Sequence, residues 1–186
     1  AVKICEITGN RIGKANALAT MGNVFLAQGK VEEALQFHHT ALDIHKKEQD
    51  RLGQAHDLNG IGNDYLAKRI LDKAIETFEG AVELYKKLGN RLGIANGLGN
   101  IGIALTEQGK LDEGLKSQEE AFRIQKEIGN RLGEANTIDN IGIIHYRKEN
   151  LADALHFHQM ALDIQKQIGN PKGMANAFLN IGNVFF

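Results

Sequence analysis

The amino-acid sequence predicts an all-α protein built as a solenoid of antiparallel helix pairs. Three observations lead there. One motif returns every 40 residues without insertion or deletion: G-N-R-I-G-K-A-N begins at Gly9, Q-D-R-L-G-Q-A-H at Gln49, G-N-R-L-G-I-A-N at Gly89, G-N-R-L-G-E-A-N at Gly129 and G-N-P-K-G-M-A-N at Gly169. Between these strings apolar residues recur at spacings of three and four, which places them on one face of a helix. The 186 residues contain 21 glycines but a single proline. A chain that is helical almost throughout excludes proline from its helix interiors, and a repeat that returns glycine at fixed positions accounts for the glycines. Self-similarity at such a period is the mark of repeat architectures.

Each period opens on a helix start. Asn10, Asp50, Asn90, Asn130 and Asn170 are N-caps, whose side-chain oxygens can accept from free amides of the first turn. Pro171 follows at the first helical position, where proline costs least. In the first unit Ile12, Ala15, Leu18, Ala19, Met21, Gly22 and Phe25 form the apolar stripe of the first helix. Gly29 and Gly109 turn the chain back. Arg69 and Glu149 stand at the same place, and each should cost up to about 1 kcal/mol if that turn needs positive φ. Val31, Ala34, Leu35, Ala41, Leu42 and Ile44 then form the second helix. Gly9, Gly89, Gly129 and Gly169 end it in the left-handed conformation. Each helix should hold about 16 to 18 residues, roughly 25 Å at 1.5 Å per residue. Gly22 is expected to face Ala34 where the paired helices approach closely.

These positions carry a resemblance. The first unit reads Leu18, Met21, Gly22, Phe25, Gly29, Ala34, His38, Ala41 and Leu42; the second Leu58, Ile61, Gly62, Tyr65, Ala74, Phe78 and Ala81; the third Leu98, Ile101, Gly102, Leu105, Gly109, Gly114 and Ala121; the fourth Ile138, Ile141, Gly142, His145, Ala154, His158 and Ala161. The pattern resembles the tetratricopeptide repeat over the whole chain. The 40-residue length and the N-I-G-N string are similar to the longer repeats of Pins-like spindle-orientation adaptors and of microbial repeat proteins. The resemblance implies a right-handed α–α superhelix whose concave face is lined by the first helix of each pair. His38, Gln118 and His158 depart from it, at a position otherwise apolar or aromatic, and so does His145, which replaces a tyrosine.

On this register residues 1–8 are the tail of a preceding second helix, 9–48, 49–88, 89–128 and 129–168 are full repeats, and 169–186 are one further first helix. Val184, Phe185 and Phe186 make an apolar end where solenoids carry polar caps. That end is expected to belong inside a longer array, or to support end-to-end self-association.

Composition narrows the function. A net charge of −1 gives no field that would draw the chain to nucleic acid or anionic lipid. No apolar run approaches the roughly 20 residues that span a membrane. Cys5, the one cysteine, excludes an internal disulfide and a thiolate zinc site. It reads as a core residue, and cysteine scarcity suits the cytoplasm. The glycines make no phosphate loop, since no strand precedes them and no G-K-[ST] occurs. Ser117 is the only serine, so no serine–histidine–acid trio can be assembled. His156 and His158 diverge around a helix, as do His38 and His39. His145 and His158 could meet, but with no third ligand, so the histidines read as packed residues with one hydrogen bond each. Glu32, Glu33, Glu119 and Glu120 read as solvated faces. No cofactor, metal or enzymatic activity is expected.

What remains on the first helices is asparagine: Asn16, Asn23, Asn59, Asn63, Asn96, Asn100, Asn136, Asn140, Asn176, Asn180 and Asn183. Asparagine is a mediocre helix former, and a surface shaped for stability alone would carry Glu, Lys or Ala. A carboxamide offers donors and an acceptor in one plane, so a ladder of them can grip a peptide backbone whatever its side chains. The alternative is repeat consensus retained with bridging water. Leu26, Leu66, Thr106 and Tyr146 are expected to add apolar pockets, and Gly60 and Gly99 to admit a partner backbone. The titratable groups of the face, His56, Glu107, Asp139 and Arg147, nearly cancel, which argues against an acidic C-terminal tail as ligand. Arg11, Arg51, Arg91 and Arg131 are expected to brace adjacent units through carboxylates such as Glu48 or Glu127, or else to touch phosphates. The sequence thus predicts a protein–protein interaction scaffold that binds a peptide or partner segment in its concave groove. The alternative is a ligand- or peptide-sensing module of a multidomain signalling protein.

Overall fold

The computed structural model of the chain describes Cys5 and residues 7–185. Nine helices lie among these residues: α1 Arg11–Ala27, α2 Val31–Lys47, α3 Arg51–Ala67, α4 Leu71–Lys87, α5 Arg91–Glu107, α6 Leu111–Glu127, α7 Arg131–Arg147, α8 Leu151–Gln167 and α9 Pro171–Val184. Their starts keep the 40-residue step without drift. The first eight have 17 residues each. Of the expected tail at residues 1–8, Cys5, Ile7 and Thr8 are helical; its other members, like Phe186, lie outside the described residues. Cys5 is half-buried rather than in a core.

The punctuation works as the side chains require. The Oδ1 atoms of Asn10, Asp50, Asn130 and Asn170 accept from the amides of Gly13, Gly53, Gly133 and Gly173 at 2.8–3.2 Å. Each turn closes with a backbone bond from the residue after the left-handed position, such as Asn10 N to Cys5 O at 2.9 Å and Ile70 N to Tyr65 O at 2.9 Å. Arg69 and Glu149 do adopt positive φ, 58° and 61°, and Gln49 joins them at 57°. Side chains held there are strained by about 1 kcal/mol or more relative to glycine. Glu149→Gly should therefore raise stability by about 0.5 to 1 kcal/mol, read as a shifted urea midpoint with unchanged slope; a loss would mean the turn is not strained.

The chain forms two compact units, one ending at Asn90 and one starting at Arg91. The first holds α1–α4. Ala15, Leu18 and Ala41 pack there with Phe37 and Ile44, and Phe25 stacks on Phe37 with ring centroids 5.1 Å apart. The second holds α5–α9, with Ala135, Ile138, Ala161 and Ile164 packed against Phe122 and Phe157. The stripe is narrower than the spacing suggested. Ile12, Leu52, Leu92 and Leu132 are all at least 40% exposed.

Glycine sets the distance between paired helices: in the third unit a Cβ on Gly114, at the position of Ala34, would lie 3.1 Å from Gly102 O, at the position of Gly22, and a larger side chain closes in from one turn further on. A Cβ on Gly22 would lie 2.6 Å from His38 Nε2, and one on Gly62 would lie 2.5 Å from Phe78 Cδ1. Gly102 and Gly142 meet Gln118 and His158 in the same way. The side chain filling the space before each glycine is therefore one helical turn beyond Ala34. A second set works between successive pairs: the space before Gly53 is taken by His45, and that before Gly133 by Gln125.

Candidate interaction surface

In the first unit α1 and α3 carry Asn16, Asn23, Asn59 and Asn63. Asn16 and Asn23 are exposed, whereas Asn59 and Asn63 are half-buried. Asn23 is not free, since its Oδ1 lies 3.3 Å from His38 Nε2. Gly60 does not admit a partner. A Cβ there would come within 2.9 Å of the His38 ring, so this glycine makes room for a histidine of the protein itself.

Beneath these asparagines lies a polar seam that composition and period did not reveal. His38 Nδ1 bonds Asp64 Oδ2 at 2.6 Å, and His45 Nδ1 bonds Asp57 Oδ2 at 2.5 Å. All four side chains are at most 1% exposed. Both pairs join α2 to α3. A signal did exist: Asp57 and Asp64 occupy positions filled by Ala, Gly, Thr, Val or Ile in the other units, and the two histidines precede them. Burial pushes the Asp57 carboxyl up, against the opposing pull of the His45 hydrogen bond. The neighbouring Tyr85, 4% exposed, has its hydroxyl pushed up to about 12 by burial and by the charge of Asp57.

Tyr85 makes an alkaline prediction. A folded-state value above the unfolded 10.0 contributes stability that is present below pH 10 and lost as pH rises towards 12. The loss should be about 2 kcal/mol. Urea unfolding of the wild type and Tyr85→Phe across that window should show a steeper decline in the wild type. Parallel curves would refute the assignment.

In the second unit α5, α7 and α9 carry Asn96, Asn100, Asn136, Asn140, Asn176, Asn180 and Asn183. Two are held in a fixed orientation. Asn96 Oδ1 accepts from Gln125 Nε2 at 3.0 Å, and Asn136 Oδ1 accepts from Gln165 Nε2 at 3.3 Å. Gln125 and Gln165 in turn accept from the caps Asn130 and Asn170 at 2.8 and 2.9 Å. With their oxygens engaged, the exposed Asn96 and Asn136 turn their NH2 groups outward as donors. Asn180 Nδ2 is spent on Asp139 Oδ2 at 2.9 Å, and Asp139 Oδ1 lies 2.7 Å from His158 Nδ1. Asn100 is half-buried; Asn176 and Asn183 are exposed.

The charged members of the face are paired. Arg147 binds Glu107 and donates to Thr106 O at 2.9 Å. Thr106 is buried and lines a cleft with Ile103 and Ile143, whereas Tyr146 is 41% exposed and is not part of its lining. His145 stacks on Phe157, and His158 is held by Asp139. Among the described residues no three metal-ligating side chains come together, and no helix is long and apolar enough to cross a membrane. The arginine column braces helices within one pair, not adjacent units. Arg11 reaches Glu48 at 3.1 Å, Arg91 reaches Glu127, and Arg131 reaches Gln167 at 2.7 Å. These bridges span the start of a first helix and the end of its own partner, and being exposed they contribute little.

Comparison with known proteins follows this geometry. A family model described as tetratricopeptide repeat matches residues 13–87 and 93–167. No curated protein matches the chain. Among solved structures, aspartyl phosphate phosphatase F from Bacillus subtilis is similar at a TM-score of 0.84 and 16% identity, over 91% of this chain and 45% of its own. The Rap conjugation gene regulator of plasmid pLS20, solved in complex with the Phr* peptide, is similar at 0.79 and 20%, over 90% and 46%. A putative kinesin light chain from Podospora anserina with nearly identical TPR-like repeats is similar at 0.74 and 12%, over 94% and 86%. The chain spans less than half the length of the first two. At these identities the likeness concerns the fold.

Proposed function

The chain belongs to the tetratricopeptide repeat family, and we propose that it is a protein-interaction scaffold that holds a peptide or extended partner segment along the face of its first helices. The observation that carries the reading is the orientation of Asn96 and Asn136. Gln125 and Gln165 take their oxygens and leave two outward donors on rigid helices, suited to the carbonyl oxygens of a peptide backbone. Asn63 and Asn140 add half-buried amides that make no side-chain hydrogen bond among the described residues. Preorganised groups of this kind lower the ordering cost of binding. The paired charges of the face favour a neutral segment over an acidic tail.

The test is a peptide-library selection on the wild type, followed by affinity measurement against an Asn63→Ala, Asn136→Ala, Asn140→Ala variant. Alanine is the better helix former by up to about 0.7 kcal/mol per site, which offsets part of the cost of leaving Gln165 Nε2 without its acceptor, so the variant should stay folded by circular dichroism while selected peptides bind it tenfold or more weakly. Equal affinity with intact folding would make the asparagines structural consensus. A second reading, a peptide-sensing module of a regulatory protein, draws support from the plasmid regulator whose structure contains a peptide. It predicts compaction in X-ray scattering when a selected peptide is added.

A further inference from the structure

Two sites of the second unit are built at the same place, 40 residues apart, and only one is filled. Between α7, α8 and α9, the Asp139 carboxylate lies 2.7 Å from His158 Nδ1 and accepts from Asn180 Nδ2 at 2.9 Å. Between α5, α6 and α7, the corresponding residues are Gly99, Gln118 and Asn140. The side chain that would occupy the middle is missing. A cleft of about 150 Å³, which Gln118 and Asn140 of this set help to line, lies beside that position. Space of that size is enough for a small organic group.

The lining specifies what the group must offer. Gln118 is 0% exposed, and its Nε2 donates to Gly99 O at 2.8 Å. That bond fixes the amide, since the reverse orientation would set two oxygens together. Its Oε1 is left buried with no hydrogen-bond partner, a situation that costs free energy until a donor arrives. It lies 3.8 Å from where a Cβ of Gly99 would be. Asn140 also lines the cleft, with a side-chain amide that makes no hydrogen bond among the described residues. Ile103 and Ile143 supply apolar walls. Arg147 and Glu107 at the mouth are bound to each other, so the lining asks for a neutral group.

We propose that this cleft is a receptor for a primary carboxamide, the side chain of a glutamine or asparagine on the bound partner. Its NH2 donates to Gln118 Oε1, its carbonyl accepts from Asn140 Nδ2, and its methylenes lie between Ile103 and Ile143. A carboxylate has no donor for Gln118, and an ammonium has no acceptor for Asn140. A hydroxyl must serve both from one oxygen, whereas a carboxamide carries the two functions on separate atoms. The assignment deepens the proposed function and rests on it for the source of the side chain.

The test uses propionamide as probe and the nitrogen-15-labelled chain, reading side-chain NH2 resonances by NMR. The Gln118 and Asn140 signals should shift together and saturate with a dissociation constant on the order of 10 mM, as the small size of the ligand allows. Propionate, propylammonium and propanol should bind about tenfold more weakly, because each leaves a buried polar group unpaired. Gly99→Asn, whose Cβ has room 3.8 Å from Gln118 Oε1, should give that oxygen an internal donor and abolish the response. Asn140→Ala should weaken propionamide about tenfold. Equal shifts with propanol or propionate, an undiminished response in folded Gly99→Asn, or no response at all would overturn the assignment. Loss of peptide affinity in the asparagine variant without propionamide binding would leave the scaffold reading standing and the cleft assignment refuted. The converse would retain the carboxamide receptor and refute the peptide-binding face.

Discussion

Replacing Asp64 with alanine should destabilise the first unit by about 3 to 5 kcal/mol, the range for breaking a buried ionisable pair. The carboxylate is 0% exposed and lies 2.6 Å from a histidine that is 1% exposed. Without it, His38 keeps only the long contact to Asn23, at 3.3 Å, and its Nδ1 faces a cavity. Asp64→Asn, which keeps the acceptor and the shape, should cost clearly less. His38→Leu with Asp64→Leu should recover most of the loss, since an apolar pair of similar volume avoids the desolvation penalty. Arrays of stacked pairs lose stability locally, so hydrogen exchange belongs beside urea unfolding, and the amides of α2 and α3 should lose protection first. A cost below about 1 kcal/mol for Asp64→Ala would put the pair in the class of exposed bridges.

Gly62→Val should cost about 3 kcal/mol or more, at the upper end for overpacking. The Cβ alone would come within 2.5 Å of Phe78 Cδ1, and the Phe78 ring is 0% exposed with no solvent to swing into. The valine methyls add to the collision and have one favoured rotamer in a helix. Phe78→Leu in the same chain should return a substantial part of the loss, and that non-additivity in a double-mutant cycle is the decisive reading. Additive costs would show that the two helices are set apart by something other than this contact. Gly142→Val against His158 should behave alike.

Much of the fold was legible because it is written five times over. The caps at Asn10, Asp50, Asn130 and Asn170 and the left-handed turns at Gly29, Gly109, Arg69 and Glu149 repeat at one step, so local chemistry and period agree. What the period hid was whatever differs between units. His38 and His45 looked like departures from an apolar position, and their acids, Asp64 and Asp57, sit in a neighbouring helix. Pairing them requires knowing that the end of one repeat packs on the start of the next. The same blindness misplaced Gly60, which looked open to a partner and is filled by His38, and turned the arginine braces outward to adjacent units. Asn96 and Asn136 were visible as a ladder, but their polarity was not. Which end of an amide faces out is decided by Gln125 and Gln165, 29 residues away in the chain.

The residue before each inner glycine has a consequence for how such a protein diverges. His38, Phe78, Gln118 and His158 hold one backbone address, each facing a glycine that leaves room for it. An imidazole, a phenyl ring and a carboxamide all fit there without altering the helix starts. The address is therefore a locus at which one duplicated unit can be given new chemistry while its siblings keep theirs. Selection can change a single rung, and the rest of the ladder continues to fold by its own local rules.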